Sequence, residues 1–178
     1  MLDEVRAPLT KGIKHVAISA DNSTVGASDM SNDHNIAVFD ISPNRKLAKK
    51  AFGKGCPADI MSLGFSPIGD SLVATCIKEV RFFHWANGVI KSNLGSGWGK
   101  MPADAVLCQA VVGDTLFTGS ASGEIITWKG SSISSRQKIH EKKVNALYSD
   151  GKTLVSGGAD GKIHIFLHPE KVSLKFDK

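Results

Sequence analysis

Asn35-Ile36-Ala37-Val38-Phe39-Asp40, Glu79-Val80-Arg81-Phe82-Phe83, Glu124-Ile125-Ile126-Thr127-Trp128 and Lys162-Ile163-His164-Ile165-Phe166 are four versions of one short apolar run closed by an aromatic residue. The closing aromatics Phe39, Phe83, Trp128 and Phe166 lie 44, 45 and 38 residues apart. Each run is preceded, at matching offsets, by two further apolar runs, at 15–19 and 24–28, 61–65 and 71–75, 107–111 and 115–119, and 145–148 and 153–157. Between them stand turn formers such as Ala20-Asp21-Asn22-Ser23, Gly113-Asp114 and Ser149-Asp150-Gly151-Lys152. No segment of ten or more residues carries a helical apolar stripe, so the chain reads as all-β. A more polar fourth segment follows each run, at 47–52, 88–91, 135–138 and 171–176, and its lysines suit an outer edge strand kept from pairing with other sheets.

Composition narrows the function classes. The 178 residues are 42% hydrophobic and 22% charged, with mean hydropathy −0.06. No apolar run approaches the ~18 residues of a membrane helix, and Asp3 and Glu4 stand where a secretion signal would be basic. The expectation is a cytoplasmic chain without membrane contact. Net charge is +5, but lysine supplies most of the positive charge and only Arg6, Arg45, Arg81 and Arg136 offer arginine's planar fork, so no nucleic acid is expected. Cys56, Cys76 and Cys108 are an odd, widely spaced set, read as reduced core thiols rather than a disulfide framework. The histidines are too scattered for a zinc site, and neither metal nor cofactor is expected.

The repeat spacing is that of the ~40–45-residue blade of WD40 propellers. Radial stacking of four-stranded blades also explains why first and second strands are apolar on both faces. The reading is four blades, at about 13–52, 58–92, 104–138 and 142–178, after a lead-in at 1–12. In the last unit, His140 followed by Leu154-Val155-Ser156-Gly157-Gly158-Ala159-Asp160 resembles the WD40 pattern in which a loop His, a strand Ser and a turn Asp share one hydrogen-bonded chain with a Trp. His140, Ser156 and Asp160 take the first three places; Phe166 stands at the Trp place and has no N–H to donate. The third unit has the Trp, Trp128, but Ser122 replaces the turn Asp and no His precedes Val106.

Blades of this degenerate kind resemble the echinoderm microtubule-associated protein-like family. Three stretches carry the resemblance: Ser31-Asn32-Asp33-His34 before the strand ending at Phe39; Thr118-Gly119-Ser120-Ala121-Ser122-Gly123-Glu124-Ile125-Ile126-Thr127-Trp128; and His140-Glu141 followed by Asp150-Gly151-Lys152-Thr153-Leu154-Val155-Ser156-Gly157-Gly158. The resemblance implies atypical propellers that contact tubulin, with a cytoskeletal or ciliary location. The coiled coil and basic region that precede the family's first propeller have no counterpart here. Four blades are few for such a ring, and each terminal blade would expose an apolar face. The chain is therefore expected to be a segment of a larger propeller, completed by further blades of a longer chain or by a second copy.

The remaining motifs are weighed one by one. Gly95-Ser96-Gly97-Trp98-Gly99-Lys100-Met101 lacks the spacing and the Ser/Thr of a phosphate loop. Cys56 with Asp59, and Cys76 with His84, show no sign of an activated thiolate, and no catalytic residue is expected. Candidate partner contacts are Asn32, Asp33 and His34 in a long hairpin, and the lysine clusters that include Lys49 and Lys50, and Lys142 and Lys143. The functional expectation is a non-enzymatic interaction platform for tubulin or other cytoskeletal proteins; the alternative is a scaffold for a multiprotein complex unrelated to microtubules. A propeller hydrolase or lyase would need ligands or acids at first-strand starts, which are mostly apolar.

Overall fold

The computed structural model describes residues 8–9, 11–44, 46–68, 70–99 and 104–167, and among them only strands, bridges, turns and bends occur. The first blade is β1 (Ile13–Ile18), β2 (Thr24–Asp29), β3 (Ile36–Ile41) and β4 (Leu47–Gly53). The second is β5 (Ile60–Phe65), β6 (Ser71–Cys76), β7 (Glu79–Ala86) and β8 (Val89–Leu94). The third is β9 (Val106–Val112), β10 (Thr115–Ser120), β11 (Glu124–Lys129) and β12 (Ser132–Lys138). The fourth is β13 (Val144–Ser149), β14 (Thr153–Gly158) and β15 (Ile163–Leu167). The segment expected as its fourth strand, 171–176, lies outside the described residues. Strands pair antiparallel with their sequence neighbours inside every blade.

All four blades share a feature that the apolar pattern hides. Each first strand carries a bulge at one register: Lys14, Met61, Leu107 and Asn145 are the extra residues opposite the end of the second strand. A bulge adds twist and re-aims the residues that follow it. It also interrupts the alternation, which is why the first strands begin one or two residues earlier than the sequence runs at 15–19, 61–65, 107–111 and 145–148.

The blades stack face to face, and each joint has its own core. Ile36, Val38 and Ala51 meet Ile60, Leu63, Leu72 and Phe83 between blades one and two. Val73, Val80 and Phe82 meet Val106, Leu116 and Trp128 between blades two and three. Phe117 and Ile125 meet Val144, Leu154 and Phe166 between blades three and four. Every blade thus has a leading face, which carries its closing aromatic, and a trailing face. The connectors before β1, β5 and β13 each add one apolar side chain to the leading face: Cys56 stands four residues before Ile60, Ile139 five before Val144 and Leu9 four before Ile13.

Two expectations are corrected. Cys56 and Cys76 are joined as a disulfide, leaving Cys108 as the free, buried cysteine among the described residues. The connector folds Cys56 back onto the end of β6, a juxtaposition that spacing along the chain does not reveal. The fourth strands are not wholly free edges either. One parallel bridge, Phe52 to Val89, links β4 to β8, and a second, Ser96 to Ser132, links the end of blade two to β12.

Candidate functional site

Connector, strand and turn converge on one polar group in the fourth blade. Gly123, at φ +86°, presents its carbonyl to the N–H groups of Ile139 and His140, at 3.1 and 3.0 Å, which fixes where the connector enters. His140 is then buried, its Nδ1 3.0 Å from Asp160 Oδ1 and its Nε2 2.9 Å from Ser156 Oγ. Asp160 also accepts from the backbone N–H groups of Glu141 and Lys162. Burial pushes the Asp160 carboxyl up, but His140 and those two N–H groups outweigh it and hold it below the usual carboxylate range. Gly158 makes room for this assembly, since a Cβ there would run into the His140 ring and the Asp160 carboxylate. His164 packs edge-on to His140 with ring centroids 4.8 Å apart. Burial, with His140 beside it, lowers the His164 pKa.

The third blade solves the same problem with other atoms. Trp128 Nε1 donates to Thr118 Oγ1 at 2.9 Å, both buried. Asp104, which the sequence reading passed over, stands two residues before β9 and accepts from the Ser122 N–H at 2.5 Å. It ties the turn to the connector as Asp160 does from the opposite side.

Antiparallel connectivity places the second-to-third-strand hairpins and the connectors between blades at one end of the sheets. Asn32, Asp33 and His34 therefore share a loop face with Lys142 and Lys143. Asp29 shapes the hairpin by accepting from the Ser31 and Asn35 backbone N–H groups, the Ser31 hydroxyl and the Asn35 amide. Asn32 and Asp33 are exposed at its tip, with Asp33 3.2 Å from Lys54 Nζ. His34 turns inward instead: Nδ1 donates to the Cys56 carbonyl at 3.0 Å, and Nε2 lies 3.0 Å from Asp59 Oδ1. Lys14 Nζ reaches the same Asp59 oxygen at 2.9 Å, and these two contacts hold the Asp59 carboxyl low. His34 thus fastens blade one to the connector that follows it. Lys49 and Lys50 lie on β4 at the rim. Lys50 pairs with Asp40 at 2.8 Å and sits over the Trp85 ring, whereas Lys49 is exposed. Among the described residues no ion pair engages Lys49, Lys142 or Lys143.

A cavity of about 530 Å³ opens at the other end of the sheets, lined by Asp21, Leu63, Phe65, Asp70, Gln109 and Val111 among others. None of the sequence-derived candidates lines it. Asp21 is held at about 2 by the Ser19 and Ser23 hydroxyls and the Ser23 N–H, all of which serve its own turn. Cys56, Cys76 and Glu79 converge, but the sulfurs are bonded to each other and Glu79 accepts from Arg81 at 2.6 Å. Burial pushes the Cys108 thiol up to about 12, which makes it inert at neutral pH.

Residues 132–166 match the WD domain, G-beta repeat family. The chain also aligns over 94% of its length with the β-propeller domain of Cps50 (Swd1) from Myceliophteria_thermophila, with a TM-score of 0.72 at 14% identity, covering 55% of that chain. The chain carries a WD repeat on a β-propeller fold. A second structural neighbour, the computationally designed Ika4 protein, aligns over 94% of this chain and 95% of its own, with a TM-score of 0.65 at 20% identity. Among curated proteins, the WD-repeat chain is 31% identical over 170 residues to the ciliary WD repeat-containing protein ctxp80 of Euplotoides octocarinatus, across 90% of its own length. Across 86% of its length it is 31% identical to human Echinoderm microtubule-associated protein-like 1 and 27% identical to human Echinoderm microtubule-associated protein-like 3. It spans only 20–23% of the length of these relatives. Among the described residues no helix is long and apolar enough to cross a membrane.

Proposed function

We propose that this WD-repeat chain is a non-enzymatic platform that holds a cytoskeletal protein, with tubulin the foremost candidate, against its hairpin-and-connector face at the cytoskeleton or in a cilium. The observation that carries the reading is the sharing of one loop face by the exposed hairpin tip Asn32-Asp33 and by Lys142 and Lys143, two exposed lysines without an ion pair among the described residues, with Lys49 on the adjacent rim. Loops on a rigid β scaffold are where such proteins place their contacts. Exposed lysines attract an acidic surface at a range set by the Debye length, about 8 Å at physiological salt. The names of the ciliary and microtubule-associated relatives favour a cytoskeletal partner over other acidic proteins.

The test is a tubulin pull-down across a salt series, with the native chain beside the variant Lys49→Glu/Lys142→Glu/Lys143→Glu. Binding to the native chain is expected to weaken steeply from 50 to 200 mM salt and to fall at least about tenfold in the variant. Equal binding by both chains removes the lysines from the contact. No binding by either at low salt transfers the platform to a multiprotein complex unrelated to microtubules.

A further inference from the structure

At the end of the sheets away from the hairpins, the first strands of three successive blades open into the cavity of about 530 Å³. Its wall comes from the last residue of β1 and the turn after it, from β5 and the turn after it, and from β9. All of its described lining residues belong to blades one to three, so the wall does not depend on what lies beside blade four. The volume falls within the ~300–1,000 Å³ of sites that hold small ligands or single side chains.

The lining is apolar in its body and acceptor-rich at its polar points. Ile18, which is 54% exposed, lies there with Leu63, Phe65 and Val111. Gln109 reaches from blade three to blade two, its Nε2 donating to the Val73 carbonyl at 3.0 Å and to the Ser62 hydroxyl at 3.3 Å. Gly64 leaves room for it, since a Cβ there would stand 3.2–3.4 Å from the Gln109 amide. The buried Gln109 Oε1 has no donor among the described residues.

Charge here is one-sided. The chain holds 22 Lys and Arg against 17 Asp and Glu, yet the described lining includes Asp21 and Asp70 and no Lys, Arg or His. The turn after the first strand carries a single charged residue in each of blades one, two and three, namely Asp21, Asp70 and Asp114, whereas Asp150 of blade four is followed by Lys152. Asp21 stays ionised well into acid, being held at about 2 by its own turn. Its Oδ1 accepts from the Ser19 hydroxyl and the Ser23 N–H, but Oδ2 accepts from the Ser23 hydroxyl alone, which leaves that oxygen a lone pair for a further donor.

We propose that this cavity binds a basic peptide segment, one lysine or arginine laying its alkyl stem on Ile18, Leu63 and Phe65 and its charged head at the acidic rim formed by Asp21 and Asp70. Asp114, next along the same end, favours a segment with more than one basic residue over an isolated cation. An anionic ligand would meet carboxylates and no counter-charge. None of this depends on which protein the hairpin-and-connector face holds.

Fluorescence polarisation on the whole 178-residue chain tests it, with a fluorescein-labelled peptide of Gly-Ser-Arg repeats as probe and a Gly-Ser-Gln repeat as control. The arginine peptide binds the native chain at low salt and the glutamine peptide does not. Asp21→Asn/Asp70→Asn, which keeps side chains able to hold the turns, weakens binding at least about fivefold. Ile18→Lys, which supplies an ammonium from the chain itself, abolishes it. The same loss of charge at the opposite end, Asp33→Asn/Glu141→Gln, leaves it unchanged, and all three variants keep the native far-ultraviolet circular dichroism. Absence of binding to the native chain at low salt overturns the proposal. So does equal weakening by the two charge-removing pairs, which would make the attraction diffuse, or binding that Ile18→Lys leaves intact, which would place the peptide elsewhere.

Discussion

Blades three and four present the same three-stranded frame and fasten it with complementary halves of one hydrogen-bond chain. Blade four keeps the outer half, Asp160 to His140 to Ser156, and has Phe166 in place of a tryptophan. Blade three keeps the inner half, Trp128 to Thr118, and replaces the histidine bridge with Asp104 on the Ser122 N–H. The difference teaches that the chain's two functions are separable. The histidine half ties connector and turn to the second strand, and the tryptophan half ties third strand to second. A blade needs its connector and turn fastened to the second strand, not every member of the full chain.

Three changes test that division. The largest effect belongs to His140→Ala, which leaves a cavity where a fully buried ring stood and strips Ser156 of its partner. It should cost about 3 kcal/mol, read as a fall in Tm of roughly 10 °C. A loss below about 1 kcal/mol would show that Gly123 alone anchors the connector. Trp128→Phe converts blade three to the aromatic of blade four but leaves Thr118 without its donor. About 1–2 kcal/mol should be lost in urea unfolding, and Thr118→Val in the same background should restore part of it. The smallest effect is confined to acid. The Asp160 carboxyl is held below its unfolded value near 3.9, so its contribution is complete above about pH 5 and fades as pH falls through the folded value. Asp160→Asn should therefore flatten the fall in Tm between pH 5 and pH 2.5. An unchanged acid slope would assign that slope to other carboxylates such as Asp21 and Asp59.

Much of this architecture was legible from residues 35–40, 79–83, 124–128 and 162–166, because strands buried on both faces repeat as near-continuous apolar runs at a fixed spacing. The meeting of His140, Ser156 and Asp160 was legible only through resemblance to the WD40 pattern; the room that Gly158 leaves for the ring shows only in three dimensions. Other features depend on three-dimensional closeness that no local pattern encodes. The bulges at Lys14, Met61, Leu107 and Asn145 break the period of two that strand reading relies on. Cys56 and Cys76 are brought together by a connector that doubles back. His34, taken as a surface candidate, has its ring drawn beneath the loop by the Cys56 carbonyl and Asp59, and Asp104 carried no motif to mark it.

The bridges at the rim have a mechanical consequence. The Phe52 N–H binds the Gly88 carbonyl, Ser96 exchanges bonds with Ser131 and Ile133, and together these run tangentially around the outside of the first three blades. They act as a hoop, taking load across the joints in a direction that side-chain packing resists poorly. Amide protons of Phe52, Ser96 and Ile133 would report its tension through slow exchange with deuterium. Where the hoop passes, the outermost strands have already spent hydrogen-bonding groups that a foreign β-strand would need, so traffic with other proteins is steered to the two loop-bearing ends.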